Sequence, residues 1–90
     1  MMHYLNPYEL AQMIRALDTR LVAIEFKNEE GQRKLIYRYE VAGRIELFDV
    51  VLVGNQMDSI ATLYPEAQRF EEAIQRCHGI QFQPQRTQTT

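Results

Sequence analysis

The spacing of apolar residues changes period twice along this chain, and that limits what the chain can fold into. From Leu10 the apolar positions Met13, Ile14 and Leu17 follow at i+3, i+4 and i+7, the repeat of one helical face. The period then falls to two. Val22, Ile24 and Phe26 alternate with Ala23 and Glu25, and Leu35, Tyr37, Tyr39 and Val41 alternate with Ile36, Arg38 and Glu40. From Leu63 it lengthens again, with Ala67, Phe70, Ile74 and Cys77 at intervals of four, three, four and three. A period-2 stretch wound into a helix would scatter its apolar side chains around the axis, and a helical pattern laid out as a strand would split them between two faces. The order is therefore helix, sheet, helix. Ninety residues, 46% hydrophobic and 24% charged, supply one core and no second domain.

Local signals mark the boundaries. Asn6 is a good N-cap, Pro7 suits the first helical position, and Glu9 stands where a capping-box acid reaches back. Leu5 and Leu10 occupy the staple positions, and the helix is expected from Pro7 to Leu17. Asn28-Glu29-Glu30-Gly31 and Ala42-Gly43 read as tight turns between antiparallel strands. The third strand, Ile45 to Val53, is ambiguous in phase. Ile45 and Leu47 share one face while Phe48, Val50 and Leu52 share the other, which a bulge near Phe48-Asp49 or burial on both faces would explain.

Gly54-Asn55 closes the sheet, and the second helix is expected to begin at Pro65, with Asp58 or Ser59 capping a short turn upstream. Gly79 is the left-handed stop, with Ile80 folding back on Ile74. The predicted architecture is an α+β two-layer domain, α-β-β-β-α, with an antiparallel sheet packed by helices on one face. The domain spans residues 1–82, and the polar stretch 83–90 is expected to be a disordered tail. The other sheet face would carry Ile36, Arg38, Glu40 and Glu46, a mixed surface suited to docking.

The composition excludes several kinds of function. A net charge of −2 argues against a phosphate-dominated nucleic-acid binder. A lone cysteine, Cys77, cannot form an internal disulfide and is expected to be a small buried core residue, in keeping with a reducing, cytoplasmic setting. The first residues lack the basic start and apolar run of a leader, and no stretch approaches the ~20 apolar residues of a membrane helix.

Chemistry-bearing clusters are equally scarce. His3, His78 and Cys77 do not have metal-ligand spacing. Ser59, the only serine, has no nucleophile-elbow sequence around it and is read as a cap or turn residue rather than a partner of His78 and Asp58 or Asp49. Glu29-Glu30 lies in a turn, and Glu71-Glu72 is expected on the solvated side of a helix. The four glycines are isolated, so no phosphate-cradling loop can be drawn through them. Tyr37, Tyr39 and Phe48 lack the basic and glycine context of an RNA-stacking sheet. The residues read as a non-catalytic domain without a cofactor.

The second half carries a further pattern. Met57-Asp58-Ser59-Ile60-Ala61-Thr62-Leu63-Tyr64-Pro65-Glu66-Ala67, then Phe70-Glu71, then Gly79-Ile80-Gln81-Phe82 resembles the signature of the 30 kDa subunit family of respiratory complex I (NADH dehydrogenase) and of related membrane-bound hydrogenases. Where that family's helix carries Trp-x-Glu-Arg-Glu-x-x-Asp, this chain has Arg69, keeps Glu71, and has Glu72, Ala73 and Arg76. The motif covers about a quarter of the chain. The resemblance implies a structural or assembly subunit with no cofactor that docks on the large catalytic subunit of a quinone oxidoreductase or hydrogenase complex. Its place would be cytoplasmic, peripheral at the inner membrane through that complex. The expected docking surface is the exposed sheet face together with Ser59, Tyr64, Glu71, Arg76 and Phe82. The other reading is a stand-alone binding or regulatory module that self-associates, as a homodimer through the third strand, or holds a small ligand.

Overall fold

A computed structural model of the chain describes residues 6–84. It is an α+β domain with two helices, a three-stranded antiparallel sheet and a small parallel pair of strands. The order is α1 (Pro7–Ile14), β1 (Thr19–Glu29), β2 (Gln32–Val41), β3 (Arg44–Val51), β4 (Gln56–Ser59), α2 (Ala67–His78) and β5 (Gln81–Pro84). The first three strands form a meander in the order β1-β2-β3, and β4 pairs in parallel with β5. Leu5, one of the two expected staple residues, and the tail from residue 85 onward lie outside the described residues.

The helix ends follow their caps. The Asn6 side chain accepts hydrogen bonds from the backbone N–H groups of Tyr8 and Glu9, at 2.8 and 3.2 Å, satisfying donors that a helix start leaves open. Asn6 also donates to Asp58 at 3.1 Å, which ties the start of α1 to β4. The helix is shorter than expected, ending at Ile14. Leu10, Ala11 and Ile14 are buried, but Met13 and Leu17 are 72% and 55% exposed. At the far end of the chain Gly79 adopts φ +71° and stops α2, and Ile80 enters the core behind it. α2 begins two residues later than expected, because Ile60 to Glu66 form successive turns held by Tyr64 N–H to Ile60 and Ala67 N–H to Tyr64.

One face of the meander makes the core. Leu21, Ile24, Leu35, Tyr37, Tyr39 and Val50 are buried there with Leu10, Ile14, Ile60, Tyr64, Ile74 and Ile80 from the remaining elements. The expected phase of β1 is corrected by a bulge. Leu21 faces Tyr39 and Ala23 faces Arg38, so Val22 is the extra residue, and Leu21 rather than Val22 joins Ile24 and Phe26 on the inner face. β3 needs no bulge. Its register against β2 is unbroken, Phe48 and Val50 point inward, and Ile45 and Leu47 lie outward, each 54% exposed. Glu46 faces Tyr39, so it belongs to the rim of the inner face and not to the outer one.

Two elements were not anticipated. Asp58 and Ser59, expected to cap a short turn, lie in β4, though Ser59 does cap the turn that follows by accepting the Ala61 N–H, and the start of the expected tail, Gln83-Pro84, completes β5. Their register sets Met57 beside Phe82 and Ser59 beside Pro84, and the Gln81 N–H bonds the Asn55 carbonyl at 2.7 Å.

Both hairpins close through two-residue turns whose central residues have positive φ, Glu30 and Gly31 at 52° and 84°, Ala42 and Gly43 at 50° and 84°. That is the turn whose twist matches paired strands, and Asn-Gly suits it best. A Cβ at Gly43 would meet nothing within 4 Å, so a side chain there costs only its backbone strain. Ala42→Asn is expected to raise stability by about 0.5–1 kcal/mol, and Gly43→Ala to lower it by about 1–2 kcal/mol. Urea unfolding should report both as midpoint shifts at constant slope.

Candidate functional site

The buried polar constellation among the described residues is built around Glu71. This carboxylate was expected on the solvated side of α2, but Glu71 is only 5% exposed. One oxygen accepts the Ser59 hydroxyl at 2.6 Å and the other accepts the Ile60 N–H at 2.9 Å. The Ser59 oxygen in turn accepts the Ala61 N–H at 3.1 Å. The side chain of one helical residue thus satisfies the first donors of the turn that leaves β4.

Tyrosines surround this hub. Tyr37 and Tyr39 are fully buried, and neither hydroxyl has a hydrogen-bond partner among the described residues. Tyr39 packs against Tyr64 at 5.3 Å between ring centroids and meets Phe48 edge-on at 6.0 Å. The Tyr64 hydroxyl shares a 2.6 Å hydrogen bond with the Thr19 hydroxyl, closing the loop before α2 onto the first strand.

Burial sets the electrostatics here. Loss of water pushes the Glu71 carboxyl above the usual carboxylate range, with the Ser59 and Ile60 hydrogen bonds opposing that shift. Desolvation, reinforced by the nearby Glu71 charge, pushes the Tyr37 phenol well up, and desolvation with the Tyr64 neighbour does the same for Tyr39. In all three groups burial favours the neutral form. Ser59 spends its hydroxyl on Glu71 and Asp58 is engaged by Asn6, so the Ser-His-Asp grouping weighed from the sequence does not assemble. His78 instead stacks on Phe26, with ring centroids 3.9 Å apart and planes 16° apart. Cys77, expected in the core, is exposed, because the buried stripe of α2 runs through Ala67, Glu71 and Ile74. Among the described residues no three His, Cys, Asp or Glu side chains gather as metal ligands.

The five residues expected to form a docking surface separate into two groups. Ser59, Tyr64 and Glu71 are engaged in the domain's own interior, and Phe82 is partly buried against the core. Arg76 alone stands exposed, on the outer side of α2. These residues lie on the helix side of the sheet, so one flat partner cannot cover them and the open sheet face together. The open face, in contrast, is a surface of its own. Ala23, Ile36, Ile45 and Leu47 stand between ion pairs of Arg20 with Glu40 at 2.6 Å, Arg38 with Glu25 at 3.3 Å, and Lys34 with Glu29 and Asp49 at 3.0 and 3.3 Å. Glu29 is held below the usual carboxylate range chiefly by its hydrogen bond from Lys34. Sequence reasoning found most of this face but assigned Ile45 and Leu47 to no side. Comparison with family models, curated proteins and solved structures finds no match.

The Glu71 hub carries a pH signature. Between the ordinary carboxylate range and the raised value of Glu71, the folded protein holds a proton that the unfolded chain has released. Its contribution to stability is therefore complete below that window and declines as pH rises through it. Glu71→Gln keeps an acceptor for Ile60 and a donor for Ser59 without titrating. The stability of the unmodified chain relative to this variant is expected to fall as pH rises from about 4 toward neutrality. Glu71→Ala strands the Ser59 and Ile60 donors and should cost about 2–3 kcal/mol. Urea unfolding across pH checks both.

Proposed function

We propose that this domain is a non-catalytic docking subunit that packs its open sheet face against the large subunit of a quinone oxidoreductase or hydrogenase complex. The carrying observation is that face itself, where apolar side chains alternate with charged ones already paired within the chain. A partner covering it would bury Ile45 and Leu47, both half-exposed, without having to desolvate isolated charges. Burial of about 800 Å² on each side suffices for a specific complex. The segment resembling the 30 kDa family of complex I supports the identity of the partner. Its motif residues Ser59, Tyr64 and Glu71 would then serve docking indirectly, by fixing the frame that carries the sheet.

Of the two forms of the alternative module, the one that holds a small ligand between helices and sheet draws less support. Aromatic side chains fill the space between the layers.

Recovery of the tagged chain from its native source in mild detergent, with mass spectrometry of what accompanies it, tests the reading. A large oxidoreductase subunit at near-equal stoichiometry is the expected outcome. Ile36→Gln with Arg38→Gln, at the centre of the open face, should abolish that recovery while circular dichroism stays unchanged. Arg76→Glu, on the opposite side, should leave it intact. Loss with Arg76→Glu and retention with the sheet pair would move docking to α2 and overturn the open-face assignment.

A further inference from the structure

The outer edge of β3 is a regular strand of eight residues that no other strand among the described residues pairs. It holds no proline, no lysine and no bulge, three devices that keep a sheet edge from pairing with another chain, and its charges are confined to Arg44, Glu46 at the rim of the inner face and Asp49. The direction of its backbone groups follows from the hairpin. Val41 and Arg44 flank a two-residue turn and form a hydrogen-bonded pair, so Arg44, Glu46, Phe48 and Val50 turn their N–H and C=O groups toward β2. The Leu52 N–H bonding the Arg33 carbonyl at 2.9 Å continues that series. Ile45, Leu47, Asp49 and Val51 therefore present theirs to the open edge, and their side chains lie on the open face.

We infer that two copies of this chain pair β3 with β3 about a two-fold axis at Phe48, joining their meanders into one six-stranded antiparallel sheet. In that register the edge sets no charge against a like charge and pairs Ile45 with Val51. Opposed residues in a two-fold antiparallel pair share a face, so the axis must pass through a residue position. An axis at Glu46 or at Asp49 sets a carboxylate against its own copy. An axis at Leu47 leaves Val51 without a partner in the ladder. An axis at Phe48 pairs Ile45 with Val51 and Leu47 with Asp49 of the other copy, so every outward group of the edge is used. On the inner face it sets Phe48 against Phe48, and Glu46 against Val50. No like charges meet, and the two half-exposed apolar residues of the edge gain cover. An edge pairing of this extent is small among specific interfaces, so it fits a weak dimer in equilibrium with monomer. This goes beyond docking on a larger subunit and uses only the purified chain.

Sedimentation velocity over a concentration series should show a monomer–dimer equilibrium for the unmodified chain. Ile45→Lys with Val51→Lys sets like charges opposite each other across the axis and should weaken dimerisation about tenfold or more. Ile45→Lys with Val51→Glu sets opposite charges there and should restore it. A second measurement fixes the register without adding charge. Phe48 meets its copy at a non-hydrogen-bonded position, where Cα atoms stand about 4.5 Å apart, within reach of a disulfide. Phe48→Cys in a Cys77→Ser background should therefore form a covalent dimer under mild oxidation. A chain that stays monomeric throughout, a double-lysine variant that dimerises as tightly as the unmodified chain, or a Phe48→Cys variant that keeps the circular dichroism of the unmodified chain and does not cross-link would each overturn the inference.

Discussion

The carboxylate of Glu71 is the joint on which the second half of the domain turns. It is anchored on α2 and bonded to Ser59 and Ile60 at the exit from β4, so it fixes the helix against the strand that precedes it. With that contact made, α2 is oriented, Gly79 reverses the chain, and β5 returns in parallel beside β4. Ile60 and Ile80, at the two ends of this circuit, are fully buried. A carboxylate is an expensive acceptor inside a protein, and an apolar residue would pack there at lower cost. What it contributes is uniqueness. Neighbouring residues on a helix point about 100° apart, so turning α2 by one position would carry Glu71 away from Ile60 and strand two donors.

The two faces of the meander solve different problems with the same alternation. The inner face concentrates bulk, and Tyr37 and Tyr39 give large apolar rings at the cost of two hydroxyls left without partners among the described residues. The outer face keeps its charges paired in rows across the strands, Glu25 with Arg38 and Arg20 with Glu40. Exposed pairs of this kind contribute little stability. Their consequence is that the face between them can be covered without leaving any of these charges unpaired.

Features with local causes were legible in the sequence. Asn6 with Pro7, Gly79 and the turn at Ala42-Gly43 are each set by one or two residues and their dihedral preferences, and each lies where expected. The first turn, expected over Asn28-Glu29-Glu30-Gly31, narrows to Glu30-Gly31 because Asn28 and Glu29 pair with β2 as part of β1. Features with distant causes were hidden. β4 and β5 are four residues each, too short for an alternation to register, and they pair across the whole of α2. The bulge at Val22 was masked because Val22 is as apolar as the Leu21 that displaces it from the inner face. Glu71 was hidden by its charge, although its spacing was available: it stands four residues after Ala67 and three before Ile74, on the same face of the helix. The motif resembling a known family marked that segment as consequential but pointed outward, whereas Ser59, Tyr64 and Glu71 turn inward.

The two edges of the meander differ in a way that bears on how the domain meets other chains. β1 carries the Val22 bulge, which bends it, and has Lys27 and Asn28 near its end, with His78 from α2 stacked on Phe26 beside them. Those are obstacles to a neighbouring strand. β3 has none of them, and the residues whose backbone groups it turns to its free edge include the half-exposed Ile45 and Leu47. A sheet with one obstructed edge and one regular edge can add strands in only one direction. Pairing at β3 therefore closes after two copies, because each copy then offers only its β1 edge. The same asymmetry that leaves β3 open would thus limit such an assembly to a dimer rather than a fibre.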